Sequence, residues 1–223
     1  MNWVFSLQLQ KMIPECNIRN GSLVYRLISP AIMKFLAPFL MLVAVCASGQ
    51  TAVERARILY EQKHTAEAVS VLEKVKENDK DFATAQYYLG RIAFDQKRYD
   101  DAADYFEEAT EAEGGKTSDY YTWLGDSYGN IARDADLIRK GMLAPKMKNA
   151  WEKAIALDNK NLNARLSLIS FYTEAPGFMG GSMDKAKEMA RQIMAINPAQ
   201  GHRSLGNLYL SKGEKCFRCR RRV

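Results

Sequence analysis

Between Ala175 and Ala186 the sequence reads APGFMGGSMDKA. Three glycines and a proline beside a lysine are the composition of a loop that cradles phosphate with backbone N–H groups at a helix N-terminus. Such a loop works where a strand passes into a helix. Here Ala164, Leu168, Phe171 and Tyr172 precede it at helical spacing, and Ala186, Met189, Ala190, Ile193 and Met194 follow it on the same period. The loop therefore joins two helices. The residue five after Gly177 is Ser182, and no Gly-Lys-Ser/Thr follows, so the sequence is read as a turn and not as a phosphate site.

The other residues with chemical potential are few. Cys216 and Cys219 form a CxxC in KCFRCRRRV, but zinc requires four ligands and only His202 lies nearby, while a redox CxxC opens a helix after a strand. The histidines, His64 and His202, have no Ser or Cys nucleophile pattern beside them and no HExxH or GxSxG motif. The reading is a non-enzymatic protein with no catalytic residues, no metal and no cofactor.

Charge argues against nucleic acid. Of the net +6, residues 1–49 hold four basic and one acidic side chains, residues 50–213 hold 23 and 24, and residues 214–223 hold five and one. The excess sits at the ends, whereas a nucleic-acid binder carries its basic face on the folded part. The most biased internal stretch, Asp100 to Glu113, holds seven acids and no base, and at helical spacing that reads as a solvated face.

Met33 to Gln50 has one lysine, an apolar run from Phe35 to Ala47 and small residues at Ala47, Ser48 and Gly49, which is the architecture of a secretory signal peptide. Thirteen residues at about 1.5 Å each fall short of the roughly 30 Å hydrocarbon core. The expected domains are thus an upstream extension of misassigned start (1–32), a signal peptide (33–49), a folded array (50–213) and a basic tail (214–223). Export to the periplasm or medium follows, with membrane contact only transient, through the signal. The alternative is a membrane-anchored assembly factor that retains the apolar segment.

The folded part is a run of helical hairpins. Ala68 and Ala102, Leu72 and Phe106, Arg57 and Arg91, and Tyr60 and Phe94 are each 34 residues apart, a period that means stacked two-helix units. Leu124-Gly125-x-x-Tyr128 and Leu205-Gly206-x-x-Tyr209 mark first helices, Leu89-Gly90-x-x-Ala93 partially so. Ala102 with Phe106, and Met147 with Trp151, mark second helices.

These motifs resemble the tetratricopeptide repeat, over about Gln50 to Gly213, in the manner of exported bacterial members. The resemblance implies an all-α, right-handed solenoid of antiparallel hairpins, with five first and four second helices and the last repeat truncated. It also implies a protein or peptide partner in a concave groove lined by first helices. The residues carried to that groove are Val53, Arg57 and Tyr60, then Tyr87, Arg91 and Phe94, then Thr122, Asp126 and Asn130, then Asn163, Leu166 and Ser170, and last Arg203 and Asn207. The arginines either grip carboxylates or pair with neighbouring acids, and both readings stand at this stage. The lysine-and-asparagine clamp of chaperone-binding relatives is not matched, because its asparagine slot holds Arg57 and Arg91.

Two hairpins are longer than the 12 residues from Gly90 to Ala102: Gly125 to Met147 is 22, and Ile169 to Ala186 is 17. Both lie where insertions project from the array. The longer one has room for an extra helical turn, and its Leu137, Ile138, Met142 and Leu143 either pack beneath the loop, the reading favoured, or stand exposed to a partner.

Deleting residues 1–32 is expected to leave export and folding intact. Fractionation of cells expressing the deletion checks this, and loss of the exported product would rule out a misassigned start.

Overall fold

The computed structural model describes residues 51–211, all of it helix and short turns. The extension, the signal segment and the basic tail expected from the sequence lie outside the described residues. Four hairpins follow one another: α1 (Ala52–Glu61) with α2 (Thr65–Leu72), α3 (Phe82–Asp95) with α4 (Tyr99–Glu111), α5 (Ser118–Asp134) with α6 (Leu137–Leu157), and α7 (Leu162–Glu174) with α8 (Met183–Ile196). A single first helix, α9 (Pro198–Ser211), packs on α8. The first helices of the first three hairpins also touch the next first helix, α1 with α3, α3 with α5 and α5 with α7, so from α1 to α7 they form a continuous inner face. This is the all-α helical-repeat solenoid expected.

Local chemistry fixes the ends. Thr51 Oγ1 accepts from Glu54 N at 3.2 Å, Asp136 Oδ1 from Arg139 N at 2.8 Å and Asn161 Oδ1 from Ala164 N at 2.9 Å, each satisfying an N–H that the first turn leaves free. In the first two hairpins the turn residues Lys63 and Lys97 are left-handed, with φ of 66° and 61°. The next residues, His64 and Arg98, donate backbone N–H to Leu59 and Ala93 carbonyls at 2.9 Å. That bond closes the helix C-terminus and stabilises a conformation few non-glycine residues adopt.

Within a hairpin the two helices interlock through a small residue and a ring. Phe106 is fully buried against Gly90, where an added Cβ would stand 2.7 Å from the ring. Trp151 occupies the same relation to Gly125, at 2.5 Å. In the fourth hairpin the sizes are reversed: Ile169 takes the glycine's place on the first helix and Ala190, fully buried, faces the same core from the second. Each core is closed by residues between Val53 and Leu208, so the array builds its interior from its own repeats.

The two long hairpins differ from each other. The glycine-rich segment is a turn, as expected: α7 stops at Glu174, a 3-10 turn spans Gly177–Met179, and Gly180 takes φ of 101°. A Cβ on Gly181 would lie 1.8 Å from the Ala175 carbonyl oxygen. Ser182 N donates to Tyr172 O at 2.8 Å and Gly181 N to Pro176 O at 3.1 Å, so these N–H groups close the turn itself. The longer insertion is not a loop. It lengthens both helices, to 17 residues in α5 and 21 in α6, with Ala135 and Asp136 between them. The expected burial of Leu137, Ile138 and Met142 is therefore wrong: they are 63%, 78% and 68% exposed, and Leu143 alone is buried. At 100° per residue a continuous helix turns Leu143 toward α5 and the other three away from it.

The acidic face of α4 is partly neutralised by α6. Arg139 pairs with Asp100, Lys146 with Glu107 at 3.4 Å, and Tyr128 donates to Glu107. Asp104, Glu108 and Glu111 remain exposed.

Phe106→Ala is expected to cost about 3 to 5 kcal/mol by leaving a cavity against Gly90, while Glu111→Gln is nearly silent. Denaturant titration of the two variants compares them, and equal effects would contradict the packing described.

Candidate functional site

The inner face of the first three hairpins gathers aromatic rings around one arginine. Arg91, at the middle of α3, lays its guanidinium over the Trp123 ring of α5, with Cζ 3.9 Å from the ring centroid. Nη1 donates to the Tyr87 hydroxyl at 2.8 Å and Nη2 to the Tyr60 hydroxyl at 3.3 Å. Tyr60 in turn donates to Asp95 at 2.7 Å. Burial, with that hydrogen bond to a carboxylate, pushes the Tyr60 phenol up to about 12. Phe94 closes the far side, edge-on to Trp123 at 5.0 Å between centroids. Four of the groove residues read from the sequence, Tyr60, Tyr87, Arg91 and Phe94, are thus one cluster spanning α1, α3 and α5.

Arg57 stands one repeat earlier in the same register but is held differently. Its Nη2 pairs with Glu54 at 2.7 Å and its Nη1 with Glu61 at 2.6 Å, one turn before and one turn after it on α1. The neighbouring-acid reading holds for Arg57. Arg91 makes no ion pair among the described residues; hydroxyls and a ring face hold it in place of a carboxylate.

Asp126 and Asn130 on α5 are tied into the fold. Asp126 Oδ1 accepts from Trp151 Nε1 at 2.9 Å and from Ser167 Oγ at 2.8 Å, joining α5 to α6 and α7. Burial raises the Asp126 carboxyl above its ordinary 3.8, against the opposing pull of the Ser167 and Trp151 hydrogen bonds. Asn130 Nδ2 donates to the Asp126 carbonyl of its own helix at 2.8 Å. Two residues expected on the groove face are interior instead. Val53 belongs to the first core. Thr122, 3% exposed, accepts from Asn161 Nδ2 at 2.8 Å, because α7 packs against that side of α5.

Sequence reading missed Trp123, the platform under Arg91. It sits beside Leu124 of the Leu-Gly motif, and helical period alone assigns it to the flank of the core stripe. The one available signal was its type: a tryptophan at a half-buried edge has a ring face to offer a cation.

A stack of helix pairs with an aromatic-and-arginine inner face defines a class, the helical-repeat proteins. Residues 53–116 match the family model described as the tetratricopeptide repeat. The match covers part of the chain, and the described residues share the fold of solved tetratricopeptide-repeat proteins. YrrB, described as a TPR protein with an unusual peptide-binding site, shares the fold at a TM-score of 0.57 and 20% identity, over 74% of this chain and 77% of that one. MamA does so at 0.56 and 21%, over 74% and 87%. TTC0263, a thermophilic TPR protein of Thermus thermophilus, does so at 0.55 and 21%, over 73% and 82%. No curated protein matches the sequence.

Asp126 yields a pH prediction whose sign follows from its raised value. A carboxyl that holds its proton more tightly when folded favours the folded state at low pH, and this contribution is lost as pH rises from the unfolded value through the folded one. At neutral pH the buried charge is thus a net cost. Asp126→Asn keeps an acceptor for Trp151 and Ser167 without the charge, and should melt no lower than the parent at pH 7. Its advantage should shrink on acidification through that interval. Melting curves across pH check both statements; an Asn variant that is much less stable at pH 7 would show that the charge itself holds the helices.

Proposed function

We propose that the protein is an exported, non-enzymatic scaffold that binds a protein or peptide on the inner face of its first helices, with Arg91 as the anchor. The observation that carries this is the contrast between the two arginines. Arg57 already has two carboxylates, whereas Arg91 is half-buried, fixed in orientation by Trp123, Tyr87 and Tyr60, and without an ion pair among the described residues. A guanidinium in that state offers charge-assisted hydrogen bonds to an incoming carboxylate. The surrounding rings of Tyr60, Tyr87 and Phe94 supply apolar area at low entropic cost, the composition found at the energetic centres of interfaces. The partner is accordingly an acidic or carboxylate-terminated segment with an apolar side chain beside its charge.

Export rests on the sequence of residues 33–49, and its support from the fold is one of boundaries. Helix α1 begins at Ala52 with Thr51 as its cap, so cleavage after Gly49 would release the array with its first helix whole. The peptide-binding site named for YrrB belongs to that protein, and it makes the same use of this fold a reasonable precedent.

The test uses the array from Gln50 to capture its partner from the exported fraction, followed by titration with the identified segment. Arg91→Ala should weaken binding by about 1.5 to 3 kcal/mol, the scale of hydrogen bonds to a charged group. Lys74→Ala, in the exposed turn that follows α2, should leave it unchanged. Added salt should weaken the parent complex more than that of the variant. Because Arg91 also packs on Trp123, Arg91→Lys serves as the companion: it keeps the cation, loses the fork and should bind at an intermediate level. Parental affinity in both Arg91 variants would sink the reading.

A further inference from the structure

In the row of residues that follows the motif glycine, or the residue in its place, the charges along the inner face change sign. The row is Arg57 after Ala56 on α1, Arg91 after Gly90 on α3, Asp126 after Gly125 on α5 and Ser170 after Ile169 on α7. Arg57 is neutralised on its own helix by Glu54 and Glu61, and Ser170 carries no charge. The middle of the row is therefore one cation and one anion on touching helices. They do not pair with each other. Arg91 is held by the hydroxyls of Tyr87 and Tyr60, and Asp126 by the neutral donors Trp151 and Ser167.

Both hydrogen bonds to Asp126 end on Oδ1, and Oδ2 accepts nothing among the described residues. Burial raises this carboxyl with no cation opposing it. One turn further along α5, Asn130 uses its Nδ2 on the Asp126 carbonyl, which leaves its Oδ1 as a second acceptor. Arg91, Asp126 and Asn130 are all half-buried, and charges so placed are screened less by water and salt than exposed ones. Asp95 is the rival acid beside Arg91, but it is exposed and already takes the Tyr60 hydroxyl.

We infer that Arg91 and Asp126 are the two posts of one site, and that the partner segment carries a lysine or arginine which Asp126 and Asn130 receive while its carboxylate sits on Arg91. This rests on the groove reading above and adds to it the partner's second charge and its orientation. Packed helix axes lie about 8 to 10 Å apart. An extended segment sets side chains i and i+2 on one face about 7 Å apart, and the flexible stem of a lysine spans the difference. The partner motif is accordingly an acid and a base separated by one residue, the acid toward the second hairpin and the base toward the fourth. Complementary charges of this kind fix the register of a complex. A segment with two acids at that spacing would set one of them against Asp126.

The array from Gln50, whose cores close within residues 53–208, keeps two of the three tryptophans, Trp123 and Trp151. They mark the two posts, since Trp123 lies under Arg91 and Trp151 Nε1 donates to Asp126. The blocked peptide Gly-Leu-Glu-Ala-Lys-Gly, titrated into isotope-labelled array, should shift both indole N–H signals in NMR spectra. Replacing its lysine by glutamine should weaken binding about tenfold, the scale of a hydrogen bond to a charged group, and should leave Trp151 nearly in place while Trp123 still moves. Asp126→Asn keeps the acceptor for Trp151 and Ser167 and should bind the lysine and glutamine peptides alike, both better than a peptide with glutamine in place of glutamate. Asn130→Lys should also abolish the lysine preference, with the Asp126 carboxylate intact, and Asp95→Asn should retain it. Equal binding of the lysine and glutamine peptides by the parent would overturn the inference while leaving Arg91 as the anchor. So would a lysine preference that survives Asp126→Asn or is lost in Asp95→Asn. A parent that binds none of the peptides, or is indifferent to the glutamate, would remove the groove reading and this inference with it.

Discussion

The close approach of paired helices at a glycine opposite a ring is the constraint on which the array depends. A Cβ at Gly90 or Gly125 would stand inside the van der Waals radius of Phe106 or Trp151, so no larger residue fits without moving a ring that is already buried. Interiors packed to crystal density tolerate such a shift poorly. In the fourth hairpin the sizes are exchanged, with Ile169 on the first helix and Ala190 on the second buried in one core, so a large residue paired with a small one recurs without a fixed residue type.

The inner face inherits its geometry from that interlock. Trp123 stacks on Phe106, with centroids 6.4 Å apart, and carries Arg91 on its own exposed side. The ring that fills the second hairpin thus supports the platform under the arginine. Trp151 does a comparable double duty: its ring fills the space at Gly125 while its Nε1 holds Asp126. Core packing and the candidate binding cluster are one network, so the position of Arg91 is set by helix spacing and not by a flexible side chain finding its own place. Such pre-organisation reduces what binding must spend on ordering the anchor.

The outer additions follow a different logic. The second insertion became a turn because Pro176 ends α7 and the glycines permit the return, whereas the first contains no such stop before Ala135 and extended its helices. Helix extension beyond the repeat leaves side chains with no neighbouring repeat to cover them, and Leu137, Ile138 and Met142 are apolar for a surface and not for a core.

Much of this was legible from residue order alone. The 34-residue coincidences, the Gly90 and Phe106 pair and the turn at Pro176 are local features: each depends on periodicity or backbone chemistry within one hairpin, and the sequence carries both. The readings of the two ends of the chain rest on composition alone and fall outside the described residues. What the sequence could not decide was which partner each side chain would meet across helices. Arg57 and Arg91 occupy one register and read alike, but Glu54 and Glu61 lie one turn away on the helix of Arg57, while Arg91 has Trp123 supplied by a helix about thirty residues further on. Period places a residue on a face; the distance between helices, fixed only when the repeats stack, decides whether that face is core, groove or open surface. The same reason explains Val53 and Thr122, which point inward by the packing of α3 and α7, and the exposed side of α6, which lies beyond the reach of the neighbouring repeats.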